Sequence, residues 1–220
     1  MKHFAALLLS AVLFVACGDD SSSVSANPPS SDSKNIEIDN SSLDSITDSR
    51  DGQSYKIVRI GSQIWTAENM NYKTENSMCY DEDENNCAIY GRLYTWSAAM
   101  TACPSGWHLP SEDDFKTLLF TVDDQSNSAE RLMSKVGWAE GHNGWDSFAF
   151  SALPAGEWYG VFFGGLGYGT QYWSSTDNRD DFCGNACVYV LLIYPDISYA
   201  YIAYGSKKNT FANSVRCVKD

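Results

Sequence analysis

Seven cysteines stand in this 220-residue chain, at positions 17, 79, 87, 103, 183, 187 and 217. No other feature limits the fold as much, because each oxidised pair fixes two stretches of backbone within a few ångströms of each other. An odd count means that at least one thiol does something other than pair within the chain.

The N-terminus supplies a reason for the odd count. Met1-Lys2-His3 is a short basic start, and residues 4–16 (FAALLLSAVLFVA) form a thirteen-residue apolar run broken only by Ser10. A bilayer span needs about twenty residues, so the run suits the apolar region of a secretory signal better. It ends at Ala16-Cys17, and a short apolar run closing on a small residue and then Cys resembles a bacterial lipoprotein signal. Phe14 departs from that pattern, which usually has Leu there. The resemblance implies removal of residues 1–16, lipidation of Cys17 and attachment to the membrane through the lipid. The location it implies is extracytoplasmic, at the outer membrane or cell surface. Asp19 and Asp20 resemble the acidic tags of surface-directed lipoproteins. Six cysteines then remain, an even number that still allows fifteen pairings.

Gly18 to Arg50 holds eleven Ser and seven acidic residues and no aromatic. Such a stretch buries too little apolar surface to offset chain entropy, and residues 17–50 are read as a tether. Residues 51–220 are read as one domain. The chain carries 28 acidic and 15 basic side chains, a net charge of -13, and the domain alone is at -9. Its longest basic run is Lys207-Lys208, so nucleic acid is excluded as a partner.

Residues 55–60, Gly61-Ser62 and 63–66 read as a β-hairpin, with Gly where the turn needs a positive φ. Leu93, Trp96, Met100 and Cys103 recur at helical spacing and predict a helix over 93–103, ended by Pro104-Ser105-Gly106. Ser111, followed by Glu112, Asp113 and Asp114, predicts a second helix start with Ser111 as its cap. Ser128 is expected to cap a short third helix through Met133. Candidate strands follow at 147–153, 157–163, 171–175, 186–194, 197–204 and 213–219. Helices early and strands late give an α+β class.

Two blocks carry a resemblance to known folds. WSAAMTACPSGWHLPSEDDFKTL (96–118) and SVRCVKD (214–220) are similar to the first helices and the last strand of C-type lectin-like domains. More closely, the chain resembles the Fibrobacter succinogenes major paralogous domain. The matching segments are 60–72, 79–115, FSALPAG (150–156), YWSST (172–176) and VRCVKD (215–220). This implies a disulfide-stapled, lectin-like α+β fold of two to three helices with antiparallel sheets, in an extracytoplasmic domain without an established activity. With spacing, it favours the pairs Cys103–Cys217, Cys79–Cys87 and Cys183–Cys187. The formylglycine-generating enzymes are distant relatives of the fold and use two late cysteines. FCGNACVYV (182–190) does not match their motif, and a structural disulfide is the simpler expectation in an oxidising compartment.

Asp81, Asp83 and Asn85 alternate as calcium ligands do at the start of an EF-hand loop. Asn86 stands where that loop needs Gly, and Arg92 where it needs Glu. Asp177, Asn178, Asp180 and Asp181 form a second acidic loop. The calcium-and-sugar triplets of true C-type lectins are absent. No cofactor is therefore expected, with Ca²⁺ at Asp81, Asp83 and Asn85 as the alternative. Between Gly156 and Gly169, six glycines alternate with Trp158, Tyr159, Phe162, Phe163 and Tyr168. Sugar rings stack on exposed aromatic faces, and tyrosine adds a polar tip, so Trp158, Tyr159, Tyr168, Tyr172 and Trp173 are candidates for a polysaccharide face. His108 is expected to be structural and His142 exposed. With only these two histidines in the domain and no nucleophile motif, no enzyme activity is expected. The reading favoured by the sequence is a non-catalytic surface module binding polysaccharide. The alternatives are an envelope protein-interaction module or, last, a formylglycine-type enzyme.

Overall fold

A computed structural model describes residues 45–122, 126–139, 141–178, 186–206 and 210–220, all within one compact unit, Ile38–Asp220. Cys17, the signal run and most of the tether lie outside the described residues, as does Cys183. Among the described residues no helix is long and apolar enough to cross a membrane.

The chain opens with β1 (Ser45–Thr47), which pairs antiparallel with β2 (Ser54–Ile60). The domain therefore starts earlier than the composition indicates: 45–50 belong to the sheet, and Asp48 is fully buried. Arg50 explains this, because its guanidinium pairs with the Asp48 carboxylate at 2.6 Å and donates to the carbonyls of Thr101 and Ala102. The hydrogen bonds from Arg50 outweigh burial and hold the Asp48 carboxyl below its ordinary range. The expected hairpin is present. β2 turns through Gly61, at φ +59°, into β3 (Gln63–Thr66), with Ile60 opposite Gln63.

The helix expected over 93–103 does not form as such. Leu93–Thr95 is strand β5, buried throughout and paired with β4 (Ser77–Met78), and only Trp96–Ala99 is helical (α2). The Thr95 hydroxyl accepts from the Ala98 amide and caps this turn. The apolar spacing that read as a helix face is misleading, since Met100 is exposed. Before it, Glu84–Tyr90 forms α1, closed by the Cys79–Cys87 disulfide. Trp107–His108 is the short strand β6, and Glu112–Val122 is α3. Here the expected cap is reciprocal. Ser111 Oγ accepts from the Asp114 amide at 3.1 Å, and Asp114 Oδ2 accepts from the Ser111 amide at 2.8 Å. Ser128 is the first residue of α4 (Ser128–Leu132) rather than its cap; its buried hydroxyl accepts from the Ala200 amide. The described residues thus hold four α-helices, against the two to three expected.

The late strands are more broken than the sequence pattern, although the one expected at 171–175 is longer, Thr170–Asn178. Residues 147–153 form a loop with Asp146, Ala149 and Ser151 at positive φ. It is closed by the Asp146 carboxylate, which accepts from the Ser151 amide and hydroxyl at 2.7 Å each. The segment read as one strand at 157–163 is a hairpin of β7 (Ala155–Trp158) and β8 (Phe163–Leu166). β9 (Thr170–Asn178), β10 (Cys187–Ile193) and β11 (Tyr201–Ser206) form an antiparallel meander. The last segment divides into β12 (Ala212–Asn213) and β13 (Val218–Lys219), which lie in different sheets. The five-stranded sheet runs β1-β2-β3-β13-β6 and the eight-stranded one β11-β10-β9-β7-β12-β5-β4, with β8 on β7. Among these named strands pairing is antiparallel except for β7 with β9. The class is α+β, mostly sheet.

Both faces of β9 and β10 are covered. Tyr172, Leu191 and Ile193 join α3 and the small sheet in one core, and Trp173, Val188 and Val190 join Tyr94, Met70 and Cys217 in another. Between β12 and β13, Arg216 is fully buried. Its guanidinium donates to Asn69 Oδ1 at 2.6 Å and to the carbonyls of Thr66, Phe150 and Ser151 at 2.7–2.9 Å. No carboxylate among the described residues lies within ion-pair distance of it. The Phe150 ring lies 4.7 Å from the guanidinium. Removing it would leave several acceptors unsatisfied at about 1–3 kcal/mol each. Arg216→Lys, which cannot reach four acceptors, is therefore expected to cost at least about 3 kcal/mol in urea melts; an unchanged midpoint would contradict this.

The Cys103–Cys217 disulfide joins the end of the α2 turn to the approach of β13, across 114 residues. Closing a loop of this size contributes on the order of 4–5 kcal/mol. Cys103→Ser is expected to lower the unfolding free energy by that amount, measured by chemical denaturation; a loss under about 1 kcal/mol would show that packing alone closes the loop.

Candidate functional site

The glycine-rich β7–β8 hairpin exposes aromatic rings at its tip. In a strand, alternate residues face opposite ways. Trp158, paired with Phe163, points inward, its ring 4.5 Å from Phe163, which in turn packs on Tyr80 at 5.0 Å. Tyr159 and Phe162, 37% and 56% exposed, stack on each other with centroids 5.0 Å apart and planes 28° apart. Val161 between them and Tyr168 beyond are also exposed. Two glycines make room for rings on this sheet. A Cβ on Gly164 would come within 2.9 Å of the Tyr159 ring, and one on Gly169 within 2.3 Å of Tyr194.

Five aromatic residues were expected to form this face, and the structure divides them. Tyr159 and Tyr168 are on the surface and Trp158 is half-buried. Tyr172 and Trp173 are not available: both are core side chains, and the Trp173 indole donates to the Tyr94 carbonyl at 2.7 Å. Their strand lies inside the sheet with apolar layers on both sides, so neither of two consecutive rings can reach solvent.

Beneath the exposed rings lies a carboxylate that the sequence reading passed over. Glu157 is buried at 6% exposure. It accepts hydrogen bonds from the Tyr159 hydroxyl and, at 3.4 Å, from the Tyr194 hydroxyl, which itself accepts from Gln171 Nε2 at 3.1 Å. Burial raises the Glu157 carboxyl above its ordinary range, although the tyrosine hydrogen bonds work against this. Burial also pushes the Tyr194 hydroxyl up to about 12. The signal for Glu157 was its alternation with Trp158, which puts it on the same face as Tyr159. A carboxyl whose folded value is raised contributes most below its unfolded value and loses that contribution as pH rises through the folded value. Glu157→Gln is therefore expected to melt above the native protein at pH 7, with the difference closing below about pH 4 as the native carboxyl also protonates. A difference that widens on acidification would contradict the assignment.

The other expected sites are dispersed. Asp81 sits in a tight turn at φ 51°, and Asp83 caps α1, its Oδ1 accepting from the Asn85 amide and side chain at 2.9 Å. Arg92, in place of a calcium-binding Glu, is buried and pairs with Glu84 at 2.9 Å. Glu84 lies near Cys79 and Cys87, but both sulfurs are held in their disulfide. Asp177 and Asn178 end β9, while Asp180 and Asp181 lie outside the described residues. Cys187 is itself disulfide-bonded. His108 bridges two acids, Nδ1 to Asp220 at 2.7 Å and Nε2 to Asp114 at 3.3 Å. It ties β6 and α3 to the last residue of the chain. Burial would raise Asp114, but hydrogen bonds from Ser111 and His108 outweigh it and hold that carboxyl below its ordinary range. His142 is exposed.

The Fibrobacter succinogenes major domain family matches residues 58–219, and the chain belongs to this family. No curated protein and no solved structure matches the chain.

Proposed function

We propose that this protein is a non-catalytic, lipid-anchored surface module with a lectin-like fold that binds extracellular polysaccharide at the tip of the β7–β8 hairpin. The observation that carries the reading is the exposed Tyr159–Phe162 stack, held over a buried carboxylate and lying against glycine. Ring faces held in place by a hydrogen bond lose little entropy when a sugar ring settles on them, and tyrosine offers a polar edge to its hydroxyls. The disulfides suit an oxidising, extracytoplasmic location, in keeping with a lipid at Cys17. A protein-interaction module is the second reading, favoured by the exposed Tyr199 and Tyr204 at the β11 edge of the large sheet, since tyrosine is enriched at interfaces.

Affinity electrophoresis of the purified protein in soluble glycans, and pull-down on insoluble ones, tests the first reading. Tyr159→Ala and Phe162→Ala are each expected to weaken retention about tenfold, the effect of losing an aromatic contact of roughly 1.4 kcal/mol. Chelator is expected to leave retention unchanged. Absence of retention on every glycan, or full retention by both variants, would overturn the assignment.

A further inference from the structure

The hairpin face stands over a charge that the fold does not need. Glu157 is buried, and the donors printed around it are tyrosine hydroxyls, Tyr159 and Tyr194, with Gln171 beyond. No Lys, Arg or His among the described residues lies within ion-pair distance of it. Asp48, the other buried acid among the described residues, is answered by Arg50. Taking a carboxylate out of water without a counter-charge destabilises the fold. Glutamine has the same shape and could accept the same hydroxyl protons. A charge that weakens its own fold beneath an exposed surface is explained by work done at that surface.

The surface above Glu157 is a pair of aromatic faces, the stacked and exposed rings of Tyr159 and Phe162. The face of an aromatic ring is the negative part of its quadrupole and attracts a cation. Tyr159 donates its hydroxyl proton to the Glu157 carboxylate, which makes its ring more electron-rich and places a full negative charge behind it. With that proton committed, the hydroxyl oxygen has only lone pairs to offer a ligand. Each of these features favours a ligand that brings positive charge and N–H or O–H donors. The net charge of -13 repels a polyanion in addition.

We propose that the Tyr159–Phe162 face selects polysaccharides carrying free primary amines, such as deacetylated amino-sugar polymers, over neutral and acidic ones, and that Glu157 sets this preference. The proposal rests on the glycan reading of the hairpin and names the ligand class of that same site. The ammonium group lies over the Tyr159 ring, and the buried carboxylate behind the ring supplies its counter-charge. Glu157 acts through Tyr159 and does not touch the sugar, so it is a specificity-determining residue of the face rather than part of its surface.

Calorimetric titration of the purified protein with soluble deacetylated chitin fragments, their fully N-acetylated counterparts and cello-oligosaccharides of equal length tests it, slightly below neutral pH where the amines are charged. The amine-bearing fragments are expected to bind on the order of fivefold tighter than either neutral series, the factor for unit charges roughly 8 Å apart at an effective dielectric of about 40. Glu157→Gln keeps an acceptor for the Tyr159 hydroxyl and is expected to bring the amine-bearing fragments down to the level of the neutral ones. Asp113→Asn removes the same charge from an exposed position on α3 and is expected to keep the preference. Equal binding of charged and neutral fragments, or a preference that survives in Glu157→Gln, would overturn the proposal while the glycan reading stands. A preference lost equally in Asp113→Asn would also overturn it, since net charge alone would then be its source. Binding of polylysine with none of any glycan would overturn both readings in favour of a basic protein partner.

Discussion

A buried guanidinium organises this domain. Arg216 lies between the two short strands of the C-terminal segment, where the chain leaves the large sheet and enters the small one. Its four donated bonds collect the end of β3, Asn69 after it, and the 150–151 loop. None of these is a charge partner. The cation is held by backbone carbonyls, an amide and two ring faces, which hydrate it in effect from within the protein. Burial lowers its readiness to carry the charge, yet guanidinium remains protonated under any ordinary condition. The 150–151 loop and the cation thus stabilise each other.

The covalent and polar ties around that point are arranged in the same sense. Cys217, next in sequence, is disulfide-bonded to Cys103, and its amide donates to the Thr66 hydroxyl at 3.0 Å. His108 then holds the final residue, Asp220. A short C-terminal segment with one buried arginine, one cysteine and one paired carboxylate thereby fixes β3, β6 and the entry to α3. The two sheets are tied at their junction, where β12 and β13 part.

Local chemistry was legible in the sequence wherever one interaction decided the structure. The β2–β3 hairpin followed from alternation and one glycine, and the start of α3 from Ser111 and Asp114. Cys79–Cys87 and Cys103–Cys217 followed from family resemblance. Segments decided by tertiary context were misread. Leu93–Thr95 is a strand because β4 and β12 flank it, although its spacing suits a helix. The 146–151 loop has a strand-like pattern, but an aspartate and a distant arginine claim its polar groups. For the candidate face, glycine and aromatic content pointed to the segment 156–169 but not to its turn. It could not show that Tyr172 and Trp173 lie in a strand covered on both sides, because burial on two faces erases alternation. Glu157 passed unnoticed for a similar reason, as acidic residues are common in this chain and only the fold shows one of them out of water.

The pairing of β1 has a mechanical consequence. Ser45–Thr47 meets β2 in just three registered pairs, and next comes the Asp48–Arg50 clamp on the carbonyls of Thr101 and Ala102. Tension arriving from the N-terminal side is borne first by that ladder and then by the clamp. Residues 103–217 stand behind a covalent closure that such tension does not load directly. Under a pull from that side the three-pair ladder of β1 is the element that yields first, ahead of the strands behind the disulfide.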